Sequence, residues 1–325
     1  MNALRTSGLL LIAAALLVSA CARSLRQLPA FDGRPAPIAE LWQEPKDLAQ
    51  RDLFYGPGGA ELAPKDTTFE FVARDEGGWS PGYDVVDRNR LEWSVKLGPE
   101  AQSEIVASRL LWAIGFHQPP TYYLERWELT GAESGPQPAG RFRPDLTDHQ
   151  IVGQGWSWYE NPFVGSVPYR GLVVANLILN SWDWKGDNNR IYEVRLPSGG
   201  TERRYVVRDL GASLGQTTYP GILKLFRLRG FGQGTRNDLA GFEEQGFITG
   251  VDGSRVEFDY HGMYRDVIDT VTPGDVRWAC SLFARLTDDQ WRDAFRAGGF
   301  GEPATARYVT KIKSKIAQGL ALPVP

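Results

Sequence analysis

The chain is poor in the side chains that metal-dependent and nucleophilic enzymes use most, with 2 cysteines and 3 histidines in 325 residues. His117, His149 and His261 are scattered, and none sits in a metal or nucleophile motif, so zinc and histidine-triad chemistries have no starting point. His117 follows Gly115 and reads as a capping or surface residue, while His261, in Tyr260-His-Gly-Met-Tyr264, reads as packing. A net charge of −3 provides no polycationic footprint, which argues against a nucleic-acid partner. No internal repeat is present at any period. The apolar run from Leu9 to Val18 is too short to cross a bilayer as a helix.

That run follows Arg5 and ends in Val18-Ser19-Ala20-Cys21, the charge pattern and small-residue ending of a cleaved export signal. The ending resembles the lipobox of bacterial lipoproteins, with Val18 in place of the commoner leucine. The resemblance implies a mature chain that begins at Cys21, is lipidated there and is held at the cell envelope through its lipid. Ala22, where an aspartate would act as a retention signal in enterobacteria, points to the outer membrane. An ordinary secretory signal cut after Ala20 is the plainer alternative. With Cys21 lipidated, Cys280 has no partner for an intrachain disulfide, and its neighbours Trp278, Leu282 and Phe283 make it a small core residue.

The expected organisation is a signal peptide at 1–20, a tether at 21–45, a first lobe at 46–130, a linker loop at 131–148 and a second lobe at 149–325. Thr68 to Arg74, Tyr83 to Val86 and Leu91 to Leu97 read as three antiparallel strands. A helix opens at Gly98-Pro99-Glu100 and closes at Gly115. Thr130 to Gly140 is rich in Gly and Pro and reads as the loop between lobes. Beyond it an apolar helix, Leu172 to Leu179, runs into the polar cluster Asn180 to Asn189. A hairpin follows, Arg190 to Val194 and Arg204 to Asp209 about the turn Pro197-Ser-Gly-Gly200. From Pro273 the chain reads as helical, with Thr287 and Gln290 in capping-box spacing and a basic amphipathic helix from Ala304 to Leu320 that should pack on the domain.

Lys96 ends a strand between apolar neighbours, where an inward lysine needs an anion, and Glu104 on the next helix is a candidate partner. Asp183 and Asn188 lie five residues apart on the polar loop, and the hairpin returns Asp209, in Asp209-Leu-Gly211, toward that loop. This order resembles the protein-kinase-like superfamily in its atypical branches: phosphoinositide lipid kinases, HipA-type kinases and spore-coat kinases. A His-Arg-Asp catalytic loop is missing, and Ser181-Trp-Asp183-Trp-Lys-Gly-Asp187-Asn188 is similar instead to the Asp-x4-Asn loop of the lipid-kinase branch. The resemblance spans roughly residues 68 to 215.

The resemblance implies an α+β, two-lobed fold: a small antiparallel sheet plus helix, then a mainly helical lobe. It implies ATP with Mg²⁺ or Mn²⁺, Lys96 on the phosphates, Glu104 orienting it, and Asn188 and Asp209 on metal. Asp183 would act beside the acceptor hydroxyl, and the turn containing Gly77, Gly78 and Ser80 would cover the phosphates. The glycine turn departs from the Gly-x-Gly-x-x-Gly spacing of protein kinases, and the interval from Lys96 to Glu104 is short. Calcium binding or helix capping by the Asx-rich loop stays open, as does a two-carboxylate glycosidase. Trp156, Trp158, Trp182 and Trp184 read as core and cleft wall before sugar platform. An exported chain meets little ATP, which keeps two further readings alive: a pseudokinase or binding lipoprotein, and AMP transfer on the same residues. The acceptor could be a protein hydroxyl, a glycan or a lipid head group, and the segment Gln216 to Asp259, with Phe226, Arg227, Arg229, Phe231 and Arg236, lies where it would be held.

Overall fold

The computed structural model describes residues 33–75, 77, 80–153, 155–217 and 234–323; Cys21 and Gly78, and Phe226 to Phe231, lie outside the described residues. The first lobe holds β1 (Thr68–Asp75), β2 (Gly82–Val86), β3 (Glu92–Leu97), helix α1 (Glu100–Ala113), β4 (Tyr122–Leu124), β5 (Trp127–Thr130), β6 (Gly135–Gln137) and β7 (Gly140–Pro144). The second holds β8 (His149–Val152), α2 (Val167–Ile178), β9 (Asn189–Arg195), β10 (Thr201–Val207), α3 (Leu239–Glu244), β11 (Ile248–Asp252) and β12 (Arg255–Phe258). It closes with α4 (Arg265–Ile268), α5 (Pro273–Phe283), α6 (Asp288–Ala297) and α7 (Glu302–Leu320). The sheet-and-helix lobe and the mainly helical lobe expected of a two-lobed, kinase-like α+β chain are both present.

Strand β3 shows how the sheet is made. Trp93, Val95 and Leu97 alternate into an aromatic core with Phe69, Trp127 and Phe142, which leaves Glu92, Ser94 and Lys96 on the opposite face. The strands run in the order β4-β7-β3-β2-β1-β5-β6. Two expectations need correcting here. The sheet is not wholly antiparallel, since β1 and β5 pair in parallel, Thr68 opposite Glu128. The segment 131–148 is not merely a linker, because β7 lies inside it, between β3 and β4, with all of its residues buried. Its alternation was hidden because Arg141 and Arg143 flank Phe142 and face the cleft, so polar residues stand where a buried strand ordinarily carries aliphatic ones.

The expected tether also ends earlier than Pro45. Leu41 is fully buried in the large core, and Trp42 Nε1 donates to Ile114 O at 2.8 Å. Gly115 makes this possible: its φ is +101°, and a Cβ there would stand 2.2 Å from Gln43 O. Helix α1 is buried on nearly every side, with Val106, Leu110 and Leu111 in the core of the helical lobe, so it forms the wall between the two lobes. Within that core Cys280 is fully buried, and burial pushes its thiol up to about 12. Trp156, Trp158, Trp182 and Trp184 are all buried, as wall and core. Arg307 pairs with Glu243 at 2.9 Å and Lys313 pairs with Asp288, so the basic helix α7 packs on its own domain. No helix among the described residues is long and apolar enough to cross a membrane.

Phe142 is fully buried, with ring centroids 4.8 Å from Phe69 and 5.2 Å from Trp127. Phe142→Ala should lower unfolding stability by about 3–5 kcal/mol, the usual cost of an aromatic truncation in a core, read as a fall in urea midpoint.

Candidate active site

The site is built from the cleft-facing side of the sheet. Gly82 on β2, Lys96 on β3 and Arg141 on β7 share one row across the strands. Glu104 lies on the second turn of α1, directly after β3, so the short connection carries its carboxylate back over Lys96. Lys96 Nζ stands 3.1 Å from Glu104 Oε2, 3.1 Å from Asp209 Oδ1 and 3.7 Å from Glu100 Oε2. Three sequence candidates, Lys96, Glu104 and Asp209, therefore meet at one point.

Several partners were not legible from sequence. Arg141 Nε and Arg143 Nη2 approach the same Glu104 oxygen at 3.0 and 2.7 Å, so one buried carboxylate faces three cations. Burial by itself would raise the Glu104 pKa, but Arg141, Lys96 and Arg143 outweigh it and hold the carboxyl below its ordinary range. Asp209 behaves alike: burial raises, and Lys96, Arg143 and Arg208 together pull it well down. Lys96 is opposed by burial, yet Glu104 and Asp209 hold its pKa above the ordinary value. Arg143 is brought down to about 10 by burial and by the nearby Arg141 and Arg208, the signature of cations crowded together. The alternation Arg141-Phe142-Arg143 was the available signal for two of these residues.

Asp209 has φ +56°, a left-handed backbone that Asp tolerates better than most side chains. The chain reaches it from β10 and leaves through a stretch that braces the polar loop. Trp182 N donates to Ala212 O at 3.2 Å, and Leu214 N donates to Leu179 O at 2.9 Å. Lys315 of α7 is fully buried beneath both segments, donating to Ile178 O at 3.0 Å and Asn180 Oδ1 at 2.6 Å, while Asn180 Nδ2 donates to Gly215 O at 2.7 Å. Burial holds the Lys315 pKa well below the lysine range.

On that braced loop, Asn188 Nδ2 donates to Asp183 O at 3.1 Å, which closes the loop on itself. The Asp183 carboxylate is held by Lys185, whose Nζ stands 3.2 Å from Oδ1 and donates to Oδ2 at 3.3 Å. Arg190, at the start of β9, donates to the main-chain oxygen of Asp187. No group of three His, Cys, Asp or Glu side chains that could hold a metal occurs among the described residues. Of the turn thought to cover phosphates, Gly77 N donates to Asp75 Oδ1 at 2.9 Å, and Ser80 Oγ is committed to Glu100 Oε2 at 2.9 Å. Glu100 also accepts from Arg236, so the hydroxyl of Ser80 is tied into an ion cluster rather than left open to a ligand.

Beside this centre lies a cavity of about 910 Å³, bounded by Ser94, Arg143, Leu146, Tyr192 and Arg208 among others. Its inner wall thus includes two of the guanidinium groups that act on Asp209.

Glu104→Gln would leave Arg141, Arg143 and Lys96 short of their common anion and should lower stability by about 3–5 kcal/mol in chemical denaturation. Glu104 and Asp209 both have folded pKa values below their ordinary ones, so their contribution is complete above pH about 5 and is lost as the pH falls through the folded values. Unfolding free energy should therefore drop below pH about 4, and Glu104→Gln should flatten that drop.

No family model matches the chain, and no curated protein does. Among solved structures it is similar to the Helicobacter pylori proinflammatory kinase CtkA, at 12% identity and a TM-score of 0.44, over 78% of this chain and 97% of that one. It is also similar to the Rio2 kinase of Chaetomium thermophilum, solved as an ADP/Mg²⁺-phosphoaspartate complex, at 13% identity and a TM-score of 0.28, over 77% of this chain and 71% of that one. Both of these neighbours are kinases; what this chain binds has to be read from its own residues.

Proposed function

We propose that the chain is an atypical kinase-like phosphotransferase that takes a nucleoside triphosphate and a divalent cation in the cleft beside Lys96. The observation that carries the proposal is the meeting of Glu104 and Asp209 on Lys96, each at 3.1 Å, beside a cavity of about 910 Å³ that is lined by Arg143, itself paired with Glu104. Arg141, Arg143 and Arg208 add positive charge around this centre, which draws an anion. Phosphate oxygens supply that anion. Lys96 would hold them while Glu104 fixes its ammonium, and the braced loop would present Asp183 to an acceptor hydroxyl.

By donor chemistry, a hard divalent cation would suit two of these side chains. Asp209 and Asn188 offer oxygen donors, and Mg²⁺ ordinarily completes its shell with water and phosphate rather than with an all-protein cage. Bound there, the ion would neutralise charge on the transferring phosphoryl group. Lipidation at Cys21 and anchoring to the cell envelope, at the outer membrane, are part of the same proposal. The acceptor class is left to the test.

ATP with Mg²⁺ at about 100 times its dissociation constant should add roughly 2.7 kcal/mol of stability, read as a rise in melting temperature. Asp209→Ala should abolish the rise, and its persistence in that variant would remove Asp209 from the site. Asp183→Asn should keep the rise and lose phosphoryl transfer, measured as labelled product; loss of both would make Asp183 structural. Retained binding with no transfer to any acceptor by the unmodified chain would identify a binding lipoprotein instead. In cells, globomycin should cause the uncleaved precursor to accumulate, and unchanged processing would remove the lipid anchor.

A further inference from the structure

Strand register sorts the cleft face of the sheet into three rows. The inner row is Gly82, Lys96 and Arg141; the middle row is Asp84, Ser94 and Arg143. The outer row is Val86 and Glu92, followed by Asp145, whose amide donates to Glu92 O at 2.8 Å. Cations thus occupy the inner row and carboxylates the outer row, while the middle row carries Asp84 and Arg143 on opposite sides of Ser94. Asp84, Glu92, Asp145, Arg143 and Arg208 all line the same cavity.

The two ends differ in how their charges are met. Inner cations share Glu104 and Asp209, whereas Asp84, Glu92 and Asp145 make no ion pair among the described residues. The carboxyl of Asp84 is pushed up, first by partial burial and then by Asp75, Glu92 and Asp145, so these acids repel one another across a shared space. Arg143, only 9% exposed, and Arg208 each keep a buried Nε without a hydrogen-bond partner. Arg143 donates to Glu104 at 2.7 Å and Arg208 to Tyr192 Oη at 2.9 Å, so the cavity has anchored guanidinium groups on one side and exposed carboxylates without an ion pair on the other.

Four residue steps along β3 separate Lys96 from Glu92, a span of ~13 Å. A nucleotide gripped at its phosphates by the inner row would put its base against the middle and outer rows. Guanine has two acceptors, N7 and O6, along one edge, which guanidinium groups match. On the adjoining edge it has two donors, N1–H and N2–H₂, which the two oxygens of a carboxylate match. Adenine reverses this, with an amino donor where guanine has O6 and an acceptor at N1 that a carboxylate repels. An apolar ceiling would treat the two bases alike; this one is charged in the guanine pattern.

Resting on the phosphotransferase reading, we infer that the cleft selects guanine over adenine nucleotides, with Arg143 and Arg208 facing the O6/N7 edge and Asp84 or Asp145 facing the N1/N2 edge. Adenine would leave the buried Arg143 facing an amino donor and set its N1 acceptor against a carboxylate, and that mismatch is the source of selection.

The test is the binding of GTP, ITP and ATP, each with Mg²⁺, to the detergent-solubilised full chain by calorimetric titration. GTP should bind at least about tenfold tighter than ATP, and ITP, which lacks the N2 amine, should lose part of that advantage. Asp84→Asn with Asp145→Asn, both at exposed positions where folding is not at stake, should bring the GTP-to-ATP ratio toward one. ATP binding as tight as GTP, or an unchanged ratio in the double variant, would overturn the inference and leave the phosphotransferase reading standing. Failure of all three nucleotides to bind would overturn that reading and the inference with it.

Discussion

The structure turns on one buried carboxylate. Glu104 is 2% exposed and meets Lys96, Arg141 and Arg143, which come from two neighbouring strands while Glu104 itself comes from the helix wall. An ion withdrawn from water without partners costs several kcal/mol, so neither the acid nor the three cations could be kept here without the others. The cluster therefore ties sheet to helix more specifically than apolar packing does. It also enforces register. A one-residue slip of β3 or β7 would send Lys96, or Arg141 and Arg143, into the aromatic core and bring Trp93 or Phe142 into the cleft.

From that point the charge of the cleft is organised outward. Asp209 joins the cluster from the helical lobe and shares Lys96 with Glu104, so a single ammonium joins the lobes electrostatically. Glu100 and Ser80 close the side toward the β1–β2 turn, and Arg236 closes the side toward α3. Farther along the same sheet face the sign reverses at Asp84, Glu92 and Asp145. Beads of one charge on a surface repel; separated into two ends, they make a field along the cleft that a dipolar ligand can align with.

The helical lobe serves the site mainly by holding two chain segments together. Asn180 and the stretch after Asp209 are joined through Gly215, with the Lys315 ammonium beneath Asn180 and the last turn of α2. A lysine with no carboxylate partner in contact is tolerated there because carbonyl and amide oxygens accept its protons and the ring of Phe242 lies 4.4 Å away. Sequence offered no sign of this. An isolated lysine on a basic amphipathic helix reads as solvated, and only packing reveals that this one faces inward.

Elements with a local physical cause were legible in the sequence. Alternation marked β1 to β3, Pro99 and Gly115 bounded α1, the Thr287–Gln290 capping box opened α6, and the Pro-Ser-Gly-Gly turn set the hairpin of β9 and β10. Lys96, Glu104 and Asp209 could be nominated because a lysine among apolar neighbours needs an anion and a hairpin returns its end. Tertiary structure alone decided the rest. β7 was hidden because its arginines break the apolar pattern of a buried strand, and Leu41 was hidden because the cavity it fills is made by residues far along the chain. The gathering of three cations on Glu104, the sorting of charge along the cleft and the burial of Lys315 all join residues distant in sequence. Local propensity carries no information about such pairings; the energies that fix them arise only when burial removes the water that would otherwise screen each charge.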